Sequence, residues 1–333
     1  MRIARTLCVG LALAAAAMPA ARAQEAGAPQ KVTFNLAWLP QGSLAGVLVA
    51  IDRGYYREAG LDVTAVRGYG GNRTVNEIDQ GQFEFGYGDP ISVALNRVGG
   101  GGTRLVGAIN TRWPAGLCYV EQRRDPEGLA DLAGLTLGGG SGSPVHNLLP
   151  AWLEANGQPR DHVALLGMDP AVVDVSLIQG RIDLAECWKA SNRAVLQKQA
   201  KVDGVDIGWI EYADHGLDMY GSGIVTSDAL IEKDPDLVKR FVAATYRGYD
   251  FVIEDPETAT DILLKQYPVL DRDITAQQVR EIAELIQDPA AAGEPLGRFG
   301  PERMRSTAAF IDKAFDLGGK VGADDIFTDR FVQ

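Results

Sequence analysis

From residue 32 onward the apolar positions follow two alternating periods. Short apolar runs bounded by glycine or proline, "VTFNLAW" (32–38), "LDVTAV" (61–66), "FEFGYG" (83–88) and "TRLVGAI" (103–109), read as strands. The intervening "LAGVLVAIDRGYYREAG", "NRTVNEIDQG" and "ISVALNRV" read as helices, with Gly60 and Gly81 where they should stop. After "NTRWPAG" a second set begins: "LCYVEQ", "LTLGGG", "VALLGM", "RIDLAECW" and "DIGWIEYA" as strands, with helices over "NLLPAWLEANG" and "PAVVDVSLIQG". Past Gly223 the pattern turns helical, with Val238, Phe241, Val242, Thr245, Tyr249 and Val252 on one face.

Strands that alternate with helices predict an α/β fold whose sheets are mostly parallel and flanked by helices. Two such sets followed by a helical tail predict two lobes, residues 31–112 plus 224–333 and residues 113–223. The chain then crosses between them twice, which makes a hinge and puts a cleft between the lobes. One pattern recurs in both lobes. "EIDQGQFEFGYGD" and "LIQGRIDLAECW" share the order helix, Gln-Gly, polar residues, strand, polar or aromatic tip. Ligands of open α/β sheets bind beyond the carboxyl ends of strands, so these two tips are the first places to look.

Composition and the N-terminus narrow the setting. Arg2 and Arg5, an apolar run from Leu7 to Ala17 and the sequence Ala21-Arg22-Ala23 make residues 1–23 an expected cleaved secretory signal. The run is too short to span a bilayer, which takes about 20 residues. Export predicts a periplasmic protein. Loss of three arginines with the signal takes the formal charge from −12 to −15, which argues against nucleic-acid partners and anionic membranes. Cys118 and Cys187 remain after cleavage, and the sequence leaves open whether they pair.

Four stretches together, "NLAWLPQGSLAGVLVAIDRGYYREAGLDV", "GQFEFGYGDP", "DLVKRFVAATYRGYDFVIEDPETATDILL" and "GPERMRSTAAFIDKAFDLGGKVGADDIFTDRFV", resemble the periplasmic substrate-binding proteins of the nitrate, sulfonate, taurine and thiamine-precursor group. The ending "DDIFTDRFV" is most similar to the branch that carries the pyrimidine precursor of thiamine. The resemblance implies a type II periplasmic-binding-protein fold, a monomer that closes on a small-molecule ligand and delivers it to the membrane subunits of an ABC importer. It implies no cofactor and no catalysis.

Candidate ligand contacts follow from the strand tips. Trp38, ahead of Pro40-Gln41-Gly42, offers a flat indole face; the resemblance implies a ligand contact here. Tyr87 stands between Gly86 and Gly88, while Asp89 before Pro90 has the sequence of a helix N-cap. Glu186 and Trp188 alternate with Cys187 and so face the same way. A carboxylate beside an indole suits a neutral or cationic nitrogen heterocycle and would repel nitrate or a sulfonate. Tyr212, His215 and Tyr220 fall in the loop before the second crossing, where the resemblance implies an acidic, tyrosine-ending segment. Arg73 at a helix start supports the competing reading, a binding protein for a small anion.

The glycine-rich "LTLGGGSGSPVHNLL" admits several readings and most fail. It lacks the lysine of a phosphate-binding loop, and Ser143 stands where a nucleophile elbow needs glycine. His146 shares the following helix, so it is not an independently placed base. Ser143 before Pro144 is an N-cap pattern, and Ser141 can offer a hydroxyl to the cleft. The three histidines and the cysteines show no metal-ligand spacing. A related eukaryotic branch that makes the thiamine pyrimidine is recognised by a cysteine cluster, which Cys118 and Cys187 do not form.

Overall fold

The computed structural model describes residues 28–140, 143–287, 289 and 293–332. The expected signal peptide and Ser141 lie outside them. The first run comprises β1 (Gln30–Asn35), α1 (Ala45–Asp52), α2 (Tyr55–Glu58), β2 (Leu61–Val66), α3 (Gly71–Asp79), β3 (Phe85–Gly88), α4 (Pro90–Val98) and β4 (Thr103–Ala108). The second comprises β5 (Ala115–Val120), β6 (Thr136–Gly139), α5 (Pro144–Ala155), β7 (Ala164–Gly167), α6 (Pro170–Ile178), β8 (Leu184–Trp188), α7 (Asn192–Val202) and β9 (Ile207–Glu211). The third comprises β10 (Gly223–Ser227), α8 (Asp228–Lys233), α9 (Pro235–Glu254), α10 (Pro256–Gln266), α11 (Arg272–Leu285), α12 (Pro301–Phe315) and α13 (Ala323–Ile326).

The strands form two five-stranded sheets, ordered β2-β1-β3-β10-β4 and β7-β6-β8-β5-β9. In each sheet four strands run one way and one runs against its neighbours. The exceptions are β10, antiparallel to β3 and β4, and β5, antiparallel to β8 and β9. Each reversed strand is the first one laid down after the chain changes sheets. The expectation of mostly parallel sheets therefore gains one reversed strand per lobe, because a strand entering straight from the other sheet needs no helical crossover to come back.

The Gln-Gly repeat maps onto equivalent strands. β3 and β8 are the central strands of their sheets, and each is preceded by a left-handed glycine, Gly81 at φ 72° and Gly180 at φ 72°. Both central strands are buried on both sides, so only their tips are available to a ligand.

The two crossings lie side by side. Asn110 N–H donates to Ser222 O at 2.8 Å, and Gly221 N–H donates back to Asn110 O at 3.0 Å. α11 and α12 brace them: Thr111 N–H donates to Leu285 O at 2.9 Å, and Arg303 donates to Thr111 O at 3.1 Å.

The core of the first sheet packs under α1 and α9. Phe241 stacks on Phe85 with ring centroids 3.9 Å apart, and the helices approach closely because Gly46 and Gly248 face each other. A second core is continuous across the crossings and includes Trp113, Trp152, Tyr212, Tyr220 and Phe299.

Cys118 on β5 and Cys187 on β8 form a disulfide, with Cα atoms 5.7 Å apart and 69 residues of sequence separation. Both are fully buried on the face of the sheet away from Glu186 and Trp188. A loop of this length gives a chain-entropy stabilisation of about 4 kcal/mol before any native-state strain is deducted. Cys118→Ser/Cys187→Ser should therefore lower the unfolding free energy by about 2–4 kcal/mol. Urea denaturation of the two proteins checks this, and equal midpoints would show that the bond contributes nothing.

Candidate functional site

The site is built at the tip of β8. Residues 184–188 show the burial pattern of a strand with Glu186 and Trp188 on one face and Ala185 and Cys187 packed into the core on the other. Asn192, the first residue of α7, fixes the tip: its side chain accepts from Trp188 N–H at 2.9 Å and donates to Glu186 O at 3.0 Å.

The Glu186 carboxylate lies against the backbone of β6. A Cβ on Gly139 would collide with its Oε1, so the glycine is needed for that approach. Oε2 accepts the Ser143 hydroxyl at 2.6 Å, and the carboxylate also accepts the backbone N–H of His146. Ser143 thus occupies the N-cap position of α5 but spends its hydroxyl on Glu186 rather than on its own helix. Among the described residues Oε1 has no hydrogen-bond partner, and His146 Nδ1, 3.8 Å away, has none either.

Burial pushes the Glu186 carboxyl up to about 7, with the Ser143 and His146 hydrogen bonds opposing the shift. Burial also lowers the His146 imidazole below its ordinary value, so it is neutral near pH 7. Tyr212, fully buried with its ring tilted 38° to that of Trp152 at 4.3 Å between centroids, has no hydrogen-bond partner for its hydroxyl among the described residues. Burial and then the charge of Glu186 hold its phenol above the ordinary range. Trp113, at the first crossing, packs 5.4 Å from the Trp188 ring, and its Nε1 has no hydrogen-bond partner among the described residues.

Among the described residues, Glu186 Oε1, His146 Nδ1, Tyr212 OH and Trp113 Nε1 are buried at one end of one sheet without hydrogen-bond partners, and Glu211 Oε1 at the same end has only its ion pair with Arg112 at 3.2 Å. Each unpartnered buried group costs about 1–3 kcal/mol, and native structures carry few of them. Such a cluster is the pattern of groups awaiting a ligand's donors and acceptors.

The remaining candidates have other positions. Trp38 stands on the loop after β1 at the lip of the first lobe, 40% exposed. The turn that puts it there is set by Ala37 at φ 59°, whose N–H is held by the buried Asn35 side chain at 2.9 Å. Tyr87 points its hydroxyl to Asn110 Oδ1 at 2.6 Å, at the first crossing, with Ser43 and Ser222 beside it. Asp89 caps α4, accepting Ser92 N–H at 2.9 Å and the Ser92 hydroxyl at 2.7 Å. Its carboxylate has the structural role its sequence context allowed.

Tyr220 lies in the core. Its hydroxyl accepts Gly300 N–H at 2.6 Å and its ring meets Phe299 edge-on, which separates it from the Glu186 group. His215 sits at the edge of Trp152, and its carbonyl accepts the Trp152 indole N–H at 3.2 Å. Arg73 is paired with Glu77 and lies over the exposed Tyr69 ring. Two members of the cluster, His146 and Trp113, escaped the sequence reading. A signal for His146 existed, because positions 143 and 146 are neighbours on one helix face.

Two lobes joined by a double crossing, with polar groups gathered at central strand tips, define the periplasmic-binding-protein fold. The periplasmic aliphatic sulphonate binding protein SsuA from Escherichia coli has the same fold, with a TM-score of 0.71 at 16% identity over 89% of this chain and 96% of that one. Residues 41–259 match the family described as "NMT1/THI5 like", and the chain belongs to that family.

Among curated proteins it is similar to a formylaminopyrimidine-binding protein of Halalkalibacterium halodurans, 24% identical over 90% of each chain. It is also similar to the riboflavin-binding protein RibY of Chloroflexus aurantiacus, 27% identical over 94% of this chain and 91% of that one. At 23% identity over 74% of each chain, it is similar to the Saccharomyces cerevisiae 4-amino-5-hydroxymethyl-2-methylpyrimidine phosphate synthase THI13.

The raised carboxyl makes stability depend on pH in a defined window. The native state keeps the Glu186 proton up to about pH 7, whereas the unfolded chain releases it near its ordinary value of 4.5. Stability from this group is therefore complete below pH 4.5, falls as pH rises to 7 and is level above, with a total change of about 3 kcal/mol at most. Glu186→Gln should flatten that slope. Denaturation of both ligand-free proteins between pH 4.5 and 7.5 checks it; parallel curves would remove the burial argument.

Proposed function

We propose that this chain is the solute-binding component of an ABC importer, and that it captures a small planar nitrogen heterocycle of the pyrimidine class between its lobes. The observation that carries the reading is the set of unpartnered buried groups around Glu186. A pyrimidine-type ring edge alternates donors and acceptors. Glu186 meets such an edge in either protonation state, as an acceptor for an amino group or, holding its proton, as a donor to a ring nitrogen. The 3.8 Å spacing to His146 Nδ1 allows the two side chains to engage adjacent edge positions. Trp188 on the second lobe and Trp38 on the first supply flat faces for the ring, with the lobes closing on it.

The relatives point the same way, since formylaminopyrimidine and riboflavin are both planar nitrogen heterocycles. Affinity comes from burying the ring, and selectivity from the few convergent polar groups. Ser143, Glu186, Trp188 and Tyr212 contact the ligand from the second lobe and Trp38 and Tyr87 from the first; His146 and Trp113 join them. The chain acts outside the cytoplasm after cleavage near Ala23, as a monomer.

The competing reading, capture of nitrate, taurine or an alkanesulfonate, needs cationic or N–H donors where this site has a carboxylate. Arg73, the cation that favoured it, is engaged with Glu77. The enzymatic reading draws on the synthase relative. Against it, Cys118 and Cys187 are joined to each other and do not form the cysteine cluster that marks the synthesising branch.

Thermal-shift measurements should separate these classes. Formylaminopyrimidine, hydroxymethylpyrimidine, thiamine and riboflavin are set against nitrate, taurine and alkanesulfonates. A heterocycle should raise the melting temperature and the anions should not; the reverse result would overturn the ligand class, and turnover of a bound pyrimidine would restore the enzyme. By calorimetry, Glu186→Gln should weaken the heterocycle by about 1.5–3 kcal/mol, the scale of a hydrogen bond to a charged group. An unchanged dissociation constant would take Glu186 out of the site.

A further inference from the structure

Beyond the tip of β8 the chain makes a feature that ligand contact does not explain. Ala190 is a left-handed, fully buried alanine at φ 55°, a conformation that strains any residue with a Cβ. Its lobe anchors the residue before it, where Lys189 N–H donates to Pro114 O at 2.9 Å, but the hydrogen bonds of Ala190's own N–H and carbonyl go elsewhere. Its N–H donates to Glu281 Oε2 at 2.5 Å, and its carbonyl accepts Ser43 N–H at 3.1 Å. Glu281 belongs to α11 and Ser43 to the loop after β1, so both partners of this one peptide segment come from the opposite lobe.

The neighbours repeat the arrangement. Ser191 donates its hydroxyl to Gln41 Oε1 at 2.9 Å and accepts Gln278 Nε2 on its carbonyl at 2.7 Å. Gln278 also accepts Gly42 N–H at 3.0 Å, so it ties the first lobe's lip to the same point. Arg193 pairs with Glu281 and lies 5.0 Å over the Trp209 ring. Gln277 reinforces Glu281 at 3.0 Å and reaches Gln197 at 2.9 Å. The Glu281 carboxylate is buried, so its hydrogen bonds to Ala190 and Arg193 are shielded from water and count for more than exposed pairs would.

We infer that Glu281 is a positioning residue of a clasp between the lobes: it grips the strained Ala190 peptide and so holds the tip of β8, with Glu186 and Trp188, against the first lobe. Ala190 is the spring of that clasp. Opening breaks both of its bonds and frees the backbone to relax to an ordinary conformation, so closure stores strain that release recovers. Ligand affinity then depends on residues that touch no ligand, because they set how much of the protein is closed before binding. The inference rests on the reading of the chain as a closing binding protein but not on what it binds.

Small-angle scattering of the ligand-free protein therefore tests it without a ligand. Glu281→Ala should raise the radius of gyration, and Glu281→Gln, which keeps an acceptor but loses the charge, should give an intermediate value and serves if the alanine variant does not fold. Ala190→Gly, made on whichever Glu281 variant is more open, should shift the curve back by favouring the closed form about fivefold, since left-handed glycine is not strained. Scattering from both Glu281 variants identical to that of the wild type would overturn the clasp. So would a glycine variant that leaves the open curve unmoved, because Ala190 would then be strained in both forms.

Discussion

The double crossing is the constraint on which the rest of the molecule depends. A chain that leaves one sheet, builds another and returns has two segments to lay side by side, and here they bond to each other through Asn110, Gly221 and Ser222. Each crossing delivers the next strand directly into a sheet, which is why β5 and β10 run against their neighbours. It also brings the carboxyl ends of both sheets to a common junction. The central strands β3 and β8 end there, and side chains on their tips meet whatever lies between the lobes. Bracing by α11 and α12 at Thr111 limits the directions in which the lobes can move relative to each other.

Much of this was legible in the chain because it rests on local chemistry. Strand runs, glycine stops and the recurrent Gln-Gly turn are patterns within about a dozen residues, and β3 and β8 fall where the repeat put them. The alternation at 186–188 correctly sent Cys187 inward and kept Glu186 and Trp188 together. Asp89 before Pro90 capped its helix as such pairs do. The parts that were not legible depend on residues distant in sequence. Tyr220 looked like a loop aromatic until Phe299 and Gly300, some 80 residues on, enclosed it. Trp113 carried no mark beyond its neighbouring proline, yet it packs on Trp188 across the sheet. The left-handed turns at Ala37 and Ala190 were hidden for another reason: alanine gives no sign of the conformation, which the nearby Asn35 side chain supports at Ala37 and partners far along the chain support at Ala190.

The site and the clasp express one energetic arrangement. Leaving Glu186 Oε1, His146 Nδ1, Tyr212 OH and Trp113 Nε1 without partners costs stability, and so does holding Ala190 left-handed. Neither cost serves a protein whose task is only to be folded. A carboxylate held half-satisfied beside a neutral imidazole has little rearrangement left to make when a ring edge arrives, so its hydrogen bonds form with less loss of freedom. A strained closed form offsets that advantage by keeping closure incomplete without a ligand. A receptor that must release its cargo to a membrane partner gains from both: groups rigid enough to select, on lobes poised closely enough to part.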